Sequence, residues 1–296
     1  MFEGDTGRVA TWADLMEGVC WADVIVVGEL HGQGDIHRFQ RALVEDTVTS
    51  FPGSVLSMEM LERDEQPLVD RWQAMRLDTE TFIEETNSTN WAGKDSWGVS
   101  YQPILDAARD GGAGIVAANS PRRYVRQSRL QGYEAVAKLP QEEHAYFAFP
   151  KSLQMHGYSD RFASEMLEHS DGKATEEMIE DTFRAQAMWD ATMARSIAEA
   201  RSDGAVKVIH LVGRFHSDFD GGTIQEIRRR DPFARVLVVS CVESNADMLA
   251  KEDRGRADVV VYVRPTPPET PVSEEAEAEN TTEDATTDEQ IETSNQ

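Results

Sequence analysis

The chain has 296 residues, 40% of them hydrophobic, and a formal net charge of −25 at pH 7. This length allows a sizeable buried core, and no uncharged apolar run approaches the roughly 18 residues that cross a bilayer. The strong negative charge repels nucleic acids and anionic lipids. We therefore predict no nucleic-acid partner and no membrane insertion.

The cysteine content and the opening residues bear on the expected location. Cys20 and Cys241 are too few for a disulfide framework and form no CxxC motif, which suits a reducing compartment. The first residues lack the basic and apolar segments of a secretory signal. We expect a cytoplasmic protein.

The composition divides the chain near residue 264. Residues 265–296 are rich in Glu, Thr, Pro and Asn and contain almost no large apolar side chain. Such a segment cannot offset the entropy lost on ordering. We predict a disordered acidic C-terminal tail and a single folded domain at 9–264.

Within that domain, short β-branched runs alternate with segments of helical periodicity, which is typical of an α/β fold. Helices are predicted at 35–49, 65–75 and 101–110, with Asp35 as the N-cap of the first. The predicted strands cover residues 23–27, 54–58, 114–118, 206–212, 235–239 and 259–263. The pattern predicts a mostly parallel sheet with flanking helices.

A helical insertion is predicted between strands 3 and 4, at about residues 121–200. This stretch contains no convincing strand and ends in a long helical pattern at 175–201. Because ligands bind at the carboxyl edge of an open parallel sheet, we expect the insertion to form a lid or a wall there.

Polar side chains follow four of the predicted strands. Glu29 and His31 follow the first strand, Glu59 the second, Asn119 the third and His216 the fourth. The carboxyl ends of parallel strands share one edge, so these distant groups are expected to converge. Burying carboxylates and imidazoles together is costly unless they are paired or bind a cation. The pattern therefore predicts a functional site.

Two chemistries suit this site. Glu29, His31, Glu59 and His216 could hold a divalent transition metal that activates water, with Glu29 or Glu59 as the general base of a hydrolase. Alternatively, the same side chains form the polar floor of a pocket for a large planar ligand. The residues alone leave both interpretations open.

Other histidines have two interpretations each. His37 lies on a helix face that could point back toward Glu29, or it packs at the start of the helix. His210 lies between Ile209 and Leu211, which favours a hydrogen-bonded histidine in the core over a ligand.

In the insertion, Met155, His156 and Tyr158 are close together in sequence. Their side chains are of the types that serve as axial ligands to haem iron. Aromatic and Met residues in a helical layer are more often part of the core, so both interpretations stay open.

Six ordered segments resemble ChaN-like domains of the haem-binding uptake and Tiki superfamily. They are residues 27–31 (VGELH), 37–40 (HRFQ), 57–67 (SMEMLERDEQP), 119–122 (NSPR), 186–190 (QAMWD) and 213–216 (GRFH). The resemblance implies an α/β fold with a helical insertion, a haem-associated role for the ChaN branch and metal-dependent peptidase activity for the Tiki branch.

The resemblance also implies roles for particular residues. In the Tiki branch, Glu29, Glu59 and the segment 213–216 would bind the metal. In the ChaN branch, a tyrosine ligand and a homodimer enclosing the haem are expected, and Tyr158 is the best placement of that ligand.

The leading hypothesis is a protein that binds haem or another iron porphyrin, with a small-molecule ligand as its partner. The alternative is a metal-dependent hydrolase. Beyond Glu29, His31, Glu59 and His216, the side chains expected to touch the ligand are His37, Asn119, Arg122, His156 and Tyr158.

Overall fold

The computed structural model describes residues 1–86 and 96–265. Its strands are β1 (Phe2–Glu3), β2 (Val24–Glu29), β3 (Val55–Glu62), β4 (Gly114–Asn119), β5 (Val208–Gly213), β6 (Val236–Glu243) and β7 (Val259–Val263). Residues Met1–Arg264 form one compact unit. The predicted acidic tail lies outside the described residues, apart from Pro265.

Helices flank these strands. They are α1 (Trp12–Trp21), α2 (Gly34–Ser50), α3 (Gln66–Gln73), α4 (Thr79–Glu85), α5 (Trp97–Ser100), α6 (Gln102–Asp110), α7 (Arg122–Gln131), α8 (Tyr133–Ala137), α9 (Tyr158–His169), α10 (Glu176–Ser202) and α11 (Gly222–Arg230). The described part of the chain contains no helix long and apolar enough to cross a membrane.

The sheet has the strand order β1-β7-β6-β2-β5-β3-β4. Every neighbouring pair is parallel except β1 with β7. The predicted α/β class and mostly parallel sheet are confirmed. The strand at Phe2–Glu3 was not predicted, because two residues are too short to show an alternating pattern.

The central strand β2 is buried on both faces, as expected for a parallel sheet covered by helices. Ile25 and Val27 belong to one hydrophobic cluster with residues of α1, α2 and α6. Val24 and Val26 belong to a second cluster with residues of α10 and α11. Alternate residues therefore support two separate helical layers.

The helical insertion is confirmed, since α7 to α10 lie between β4 and β5, which are the third and fourth predicted strands. The predicted cap of α2 is wrong. The helix begins one residue before Asp35, and the N-cap is Gln33, whose side-chain oxygen accepts the Asp35 backbone N–H at 2.9 Å. Asp35 lies in the first turn, where its negative charge interacts favourably with the positive end of the helix dipole.

The order of the strands places three polar strand ends side by side. β5 lies between β2 and β3, and Glu29 is the register partner of Gly213. The β3 strand extends to Glu62, beyond the predicted end, but its pairing with β5 stops at Met58. Glu59 therefore follows the end of that ladder.

Gly28 allows β2 to lie against the turn that follows β5. A Cβ atom at Gly28 would lie 2.5 Å from Ser217 Oγ and 2.9 Å from Arg214 Cα. Both distances are far shorter than a van der Waals contact, so only glycine fits without moving the turn.

We expect Gly28→Ala to lower the free energy of unfolding by about 1–3 kcal/mol, the usual cost of overpacking. Gly98→Ala is the control, since its Cβ would meet no atom of residues 1–86 or 96–265 within 4 Å. That helical substitution should be neutral or stabilising by up to about 1 kcal/mol. Urea denaturation measures both changes, and equal stability of the two variants would contradict the packing argument.

Candidate functional site

The carboxyl ends of β2, β3 and β5 open into one cavity of about 500 Å³. Glu29, His31, Glu59 and His216 all line it, as the sequence analysis predicted. The helical insertion contributes to another wall of the cavity through α9. The geometry therefore unites groups that are up to 187 positions apart, between Glu29 and His216.

Glu29 is buried and accepts three short hydrogen bonds. The donors are Gln40 Nε2 at 2.6 Å, Tyr101 Oη at 2.6 Å and His31 Nδ1 at 2.7 Å. Burial alone would raise the pKa of Glu29, but the neighbouring imidazoles of His31 and His37 lower it to about 2. Glu29 is therefore ionised at neutral pH.

The Glu29 carboxylate fixes the orientation of His31. The Nδ1 atom of His31 also lies 3.2 Å from Tyr101 Oη, so this edge of the imidazole ring faces inward. Nε2 lies above Gly213, where an added Cβ would be 3.1 Å away. The His31 side chain is 33% exposed, which makes it the more accessible of the two cavity histidines.

The pKa of His31 is raised overall. Burial by itself lowers the pKa, but the hydrogen-bonded Glu29 carboxylate and the charge of Glu59 outweigh it. The Glu29 contact thus both orients the imidazole and increases its basicity.

His216 lies between two carboxylates. Its Nδ1 is 2.7 Å from Asp190 Oδ1, and its Nε2 is 3.4 Å from Glu59 Oε1. Burial lowers the pKa of His216, but Asp190 and Glu59 outweigh this and raise it to about 9. His216 is therefore a buried imidazolium at neutral pH.

Asp190 and Glu59 are both held by further donors. Asp190 accepts hydrogen bonds from Tyr158 Oη at 2.9 Å and Thr223 Oγ1 at 2.7 Å. Glu59 accepts the backbone N–H of Gly213. The contact between Asp190 and His216 joins the helical insertion to the turn that follows β5.

Tyr101 and Asp190 are site residues that were not predicted. Asp190 is buried among small and apolar residues of α10 and lies in the QAMWD segment, so a buried charge in an apolar helix was an available signal. Tyr101 is 72 positions from Glu29 and carries no local signal, since only the packing of α6 against α2 brings it there.

None of the five expected ligand contacts, His37, Asn119, Arg122, His156 and Tyr158, lines the cavity. Tyr158 is fully buried and donates to Asp190, and its burial raises the pKa of the phenol well above 10. His156 is exposed. Asn119 caps the Ser120 backbone N–H, and Arg122 lies beside Glu62, 3.6 Å away.

The two remaining histidines lie inside the fold. His37 is buried 3.8 Å from Glu29 Oε1 and packs on Tyr101, so its helix face points toward Glu29 as one interpretation proposed. It supports the site from behind the cavity wall. His210 is a core histidine, as predicted, with Nδ1 2.9 Å from Ser57 Oγ.

The four predicted metal ligands form two separate pairs. Glu29 contacts His31, and Glu59 contacts His216. Across residues 1–86 and 96–265, no group of three or more His, Cys, Asp or Glu side chains has the arrangement of a metal site. Within each pair, the imidazole and the carboxylate lie 2.7 Å and 3.4 Å apart, respectively.

The model of one protein family, described as haem-binding uptake, Tiki superfamily, ChaN, matches residues 15–227. The chain belongs to this family. The resemblance noted in the sequence is thereby confirmed. The sequence matches none of the curated proteins with which it was compared.

Several solved structures are similar to this chain. The structure titled "Cofacial heme binding to ChaN of Campylobacter jejuni" is 17% identical, with a TM-score of 0.67 over 88% of this chain and 94% of the other. A Bacillus cereus protein is 11% identical, with a TM-score of 0.44 over 83% and 75%. A mutant of erythromycin esterase EreC in its open conformation is 14% identical, with a TM-score of 0.45 over 81% and 76%.

We expect Asp190→Asn to lower the pKa of His216 toward or below its ordinary value of about 6.5, because the attractive charge of Asp190 is removed while burial remains. NMR titration of the histidine rings measures the change. Thr223→Val is the matched control, since it removes a hydrogen bond to Asp190 but keeps the charge. A high pKa retained in Asp190→Asn would contradict the assignment.

The contact between His216 and Asp190 also makes the free energy of unfolding depend on pH. The stabilisation is complete below the unfolded pKa of about 6.5 and is lost as pH rises through the folded pKa. Because that folded pKa is about 9, unfolding free energy should fall between pH 7 and pH 10. Urea denaturation should show a smaller fall in Asp190→Asn, and an unchanged fall would contradict the linkage.

Proposed function

We propose that this member of the ChaN family binds haem or a related iron porphyrin in the strand-end cavity, with His31 as the residue facing the iron. The observation that carries the proposal is the His31–Glu29 pair at the cavity wall. A histidine that ligates a metal commonly directs its other ring nitrogen to a carboxylate, which fixes the ring and raises its basicity.

The contacts of Glu29 support this role for His31. Nδ1 is held at 2.7 Å by the Glu29 carboxylate, which is itself fixed by Gln40 and Tyr101. The remaining ring nitrogen, Nε2, lies on the Gly213 side. His31 would hold the porphyrin through this nitrogen, and the bound iron would supply a metal centre that accepts it as a ligand.

The other walls fit a planar, anionic ligand. Phe215 and Phe219 line the cavity and offer aromatic surface, and arginines line it as well. Its volume of about 500 Å³ falls in the range of roughly 300–1,000 Å³ that is usual for small-molecule sites. Tyr158, the earlier choice of iron ligand, is not part of this wall.

The comparisons support the same ligand class. The matching family is described as haem-binding uptake, and the ChaN structure from Campylobacter jejuni is titled for cofacial haem binding. The homodimer and the cytoplasmic location stay predictions.

Titration with haemin tests the proposal. We expect saturable binding with a shifted Soret band, and a loss of affinity of about tenfold or more in His31→Ala, as expected for a lost metal ligand or its partner. His169→Ala is the matched control, because His169 is an exposed histidine of α9 outside the cavity. The absence of saturable binding to the wild-type chain would contradict the proposal.

A metal-dependent hydrolase is the second candidate. It is favoured by the Glu59–His216–Asp190 arrangement, in which an imidazole lies between two carboxylates at a cavity wall. Such a set can transfer protons, and Glu59 would act as the general base.

Elemental analysis separates the two candidates. The hydrolase predicts a near-stoichiometric transition metal in the purified protein, and loss of that metal in Glu59→Ala and His216→Ala. Haem binding instead predicts an iron content that rises and falls with the Soret absorbance, and both should be lost in His31→Ala. A metal-free protein that binds haemin would exclude the second candidate.

A further inference from the structure

Three arginines line the cavity, and two of them are already engaged. Arg161 donates to the backbone carbonyls of Asp218 at 2.7 Å and Phe219 at 3.1 Å. Arg256 bonds to the carboxylates of Asp218 and Asp253. Both guanidinium groups hold the loop that follows β5.

Arg214 is different. Its guanidinium makes no hydrogen bond or ion pair with any residue in the described ranges 1–86 and 96–265, although it lines the cavity. Asp218 attracts it electrostatically, but the Asp218 carboxylate is bonded to Arg256. Arg214 is therefore the cavity arginine whose hydrogen-bonding capacity is not used by any of the described residues.

The backbone of Arg214 is nevertheless fixed. Its carbonyl accepts the N–H groups of Ser217 at 3.1 Å and Asp218 at 2.8 Å. Its Cα lies against Gly28, where an added Cβ would be only 2.9 Å away. A rigid main chain thus presents a half-buried, uncommitted guanidinium to the cavity.

A guanidinium that has lost part of its hydration needs compensating hydrogen bonds. Its planar N–H groups can donate two parallel hydrogen bonds to the two oxygens of a carboxylate. A single carbonyl or a neutral ring cannot accept both bonds in this way. Of the other carboxylates that line the cavity, Glu29 contacts His31 and Glu59 contacts His216. Glu165 also lines the cavity, but it is exposed and makes no ion pair with Arg214.

We propose that Arg214 binds a carboxylate of the ligand and thereby makes the cavity selective for ligands that carry one. This inference rests on the proposed function, in which the carboxylate is a propionate of the porphyrin. His31 and Arg214 then recognise separate parts of the same molecule, the iron and the acidic edge.

Haemin and its dimethyl ester test this division, because they share the iron and the ring but differ in the propionate charges. The wild-type chain should bind haemin about tenfold or more tightly than the ester, the effect expected of one charge-assisted hydrogen-bonded pair. Arg214→Gln should lose that preference by weakening haemin binding while leaving ester binding unchanged.

Two further variants sharpen the test. Arg214→Lys keeps the charge but loses the planar guanidinium that donates two parallel hydrogen bonds, so its preference for haemin should be intermediate. Arg41→Gln is the matched control, because it removes an equal charge from an exposed ion pair with Glu45 on α2, and it should keep the full preference. Raising the salt concentration should weaken haemin binding in Arg41→Gln more than in Arg214→Gln.

The outcomes separate this inference from the proposed function. If haemin and the ester both fail to saturate the wild-type chain, the proposed function and the role of Arg214 fail together. If both bind but Arg214→Gln retains the preference for haemin, only the role of Arg214 is overturned. Urea denaturation of each variant confirms that it is folded before it is titrated.

Discussion

The rest of the site depends on one buried anion, the carboxylate of Glu29. A charge in this position is costly unless every oxygen is satisfied, and breaking such a buried set by removing one partner typically costs about 3–5 kcal/mol. Here the partners come from three elements: Gln40 on α2, Tyr101 beside α6 and His31 after β2. Glu29 therefore fixes the packing of these helices together with the orientation of His31.

The environment of His216 differs from that of His31 in burial and in the surrounding charges. His216 is a buried imidazolium, with Asp190 on one side and Glu59 on the other, whereas His31 is partly exposed to the cavity. Two histidines on neighbouring strand ends thus differ in accessibility and in the number of carboxylates around them. One fold can support both ligand binding and hydrolysis by such changes in side-chain environment, since function depends on the site more than on the fold.

The helical insertion contributes polar contacts to the site as well as part of the cavity wall. Asp190 on α10 bonds to His216, and Arg161 on α9 holds the carbonyls of the loop after β5. Phe219 in that loop has a φ of 51°, a conformation uncommon for a bulky residue. Its ring lies 5.5 Å from the Arg161 guanidinium and 4.7 Å from that of Arg256, contacts that help to hold this conformation.

The sequence by itself determined the alternation of strands and helices, the insertion and the four polar strand ends, because periodicity and strand order follow from local backbone geometry. Only the tertiary structure decided which groups touch. It brought Tyr101 to Glu29, placed the Tyr158 hydroxyl on Asp190 and left the Arg214 guanidinium without a bond to any described residue. Those outcomes depend on how distant helices pack and rotate against the sheet, which no local pattern specifies.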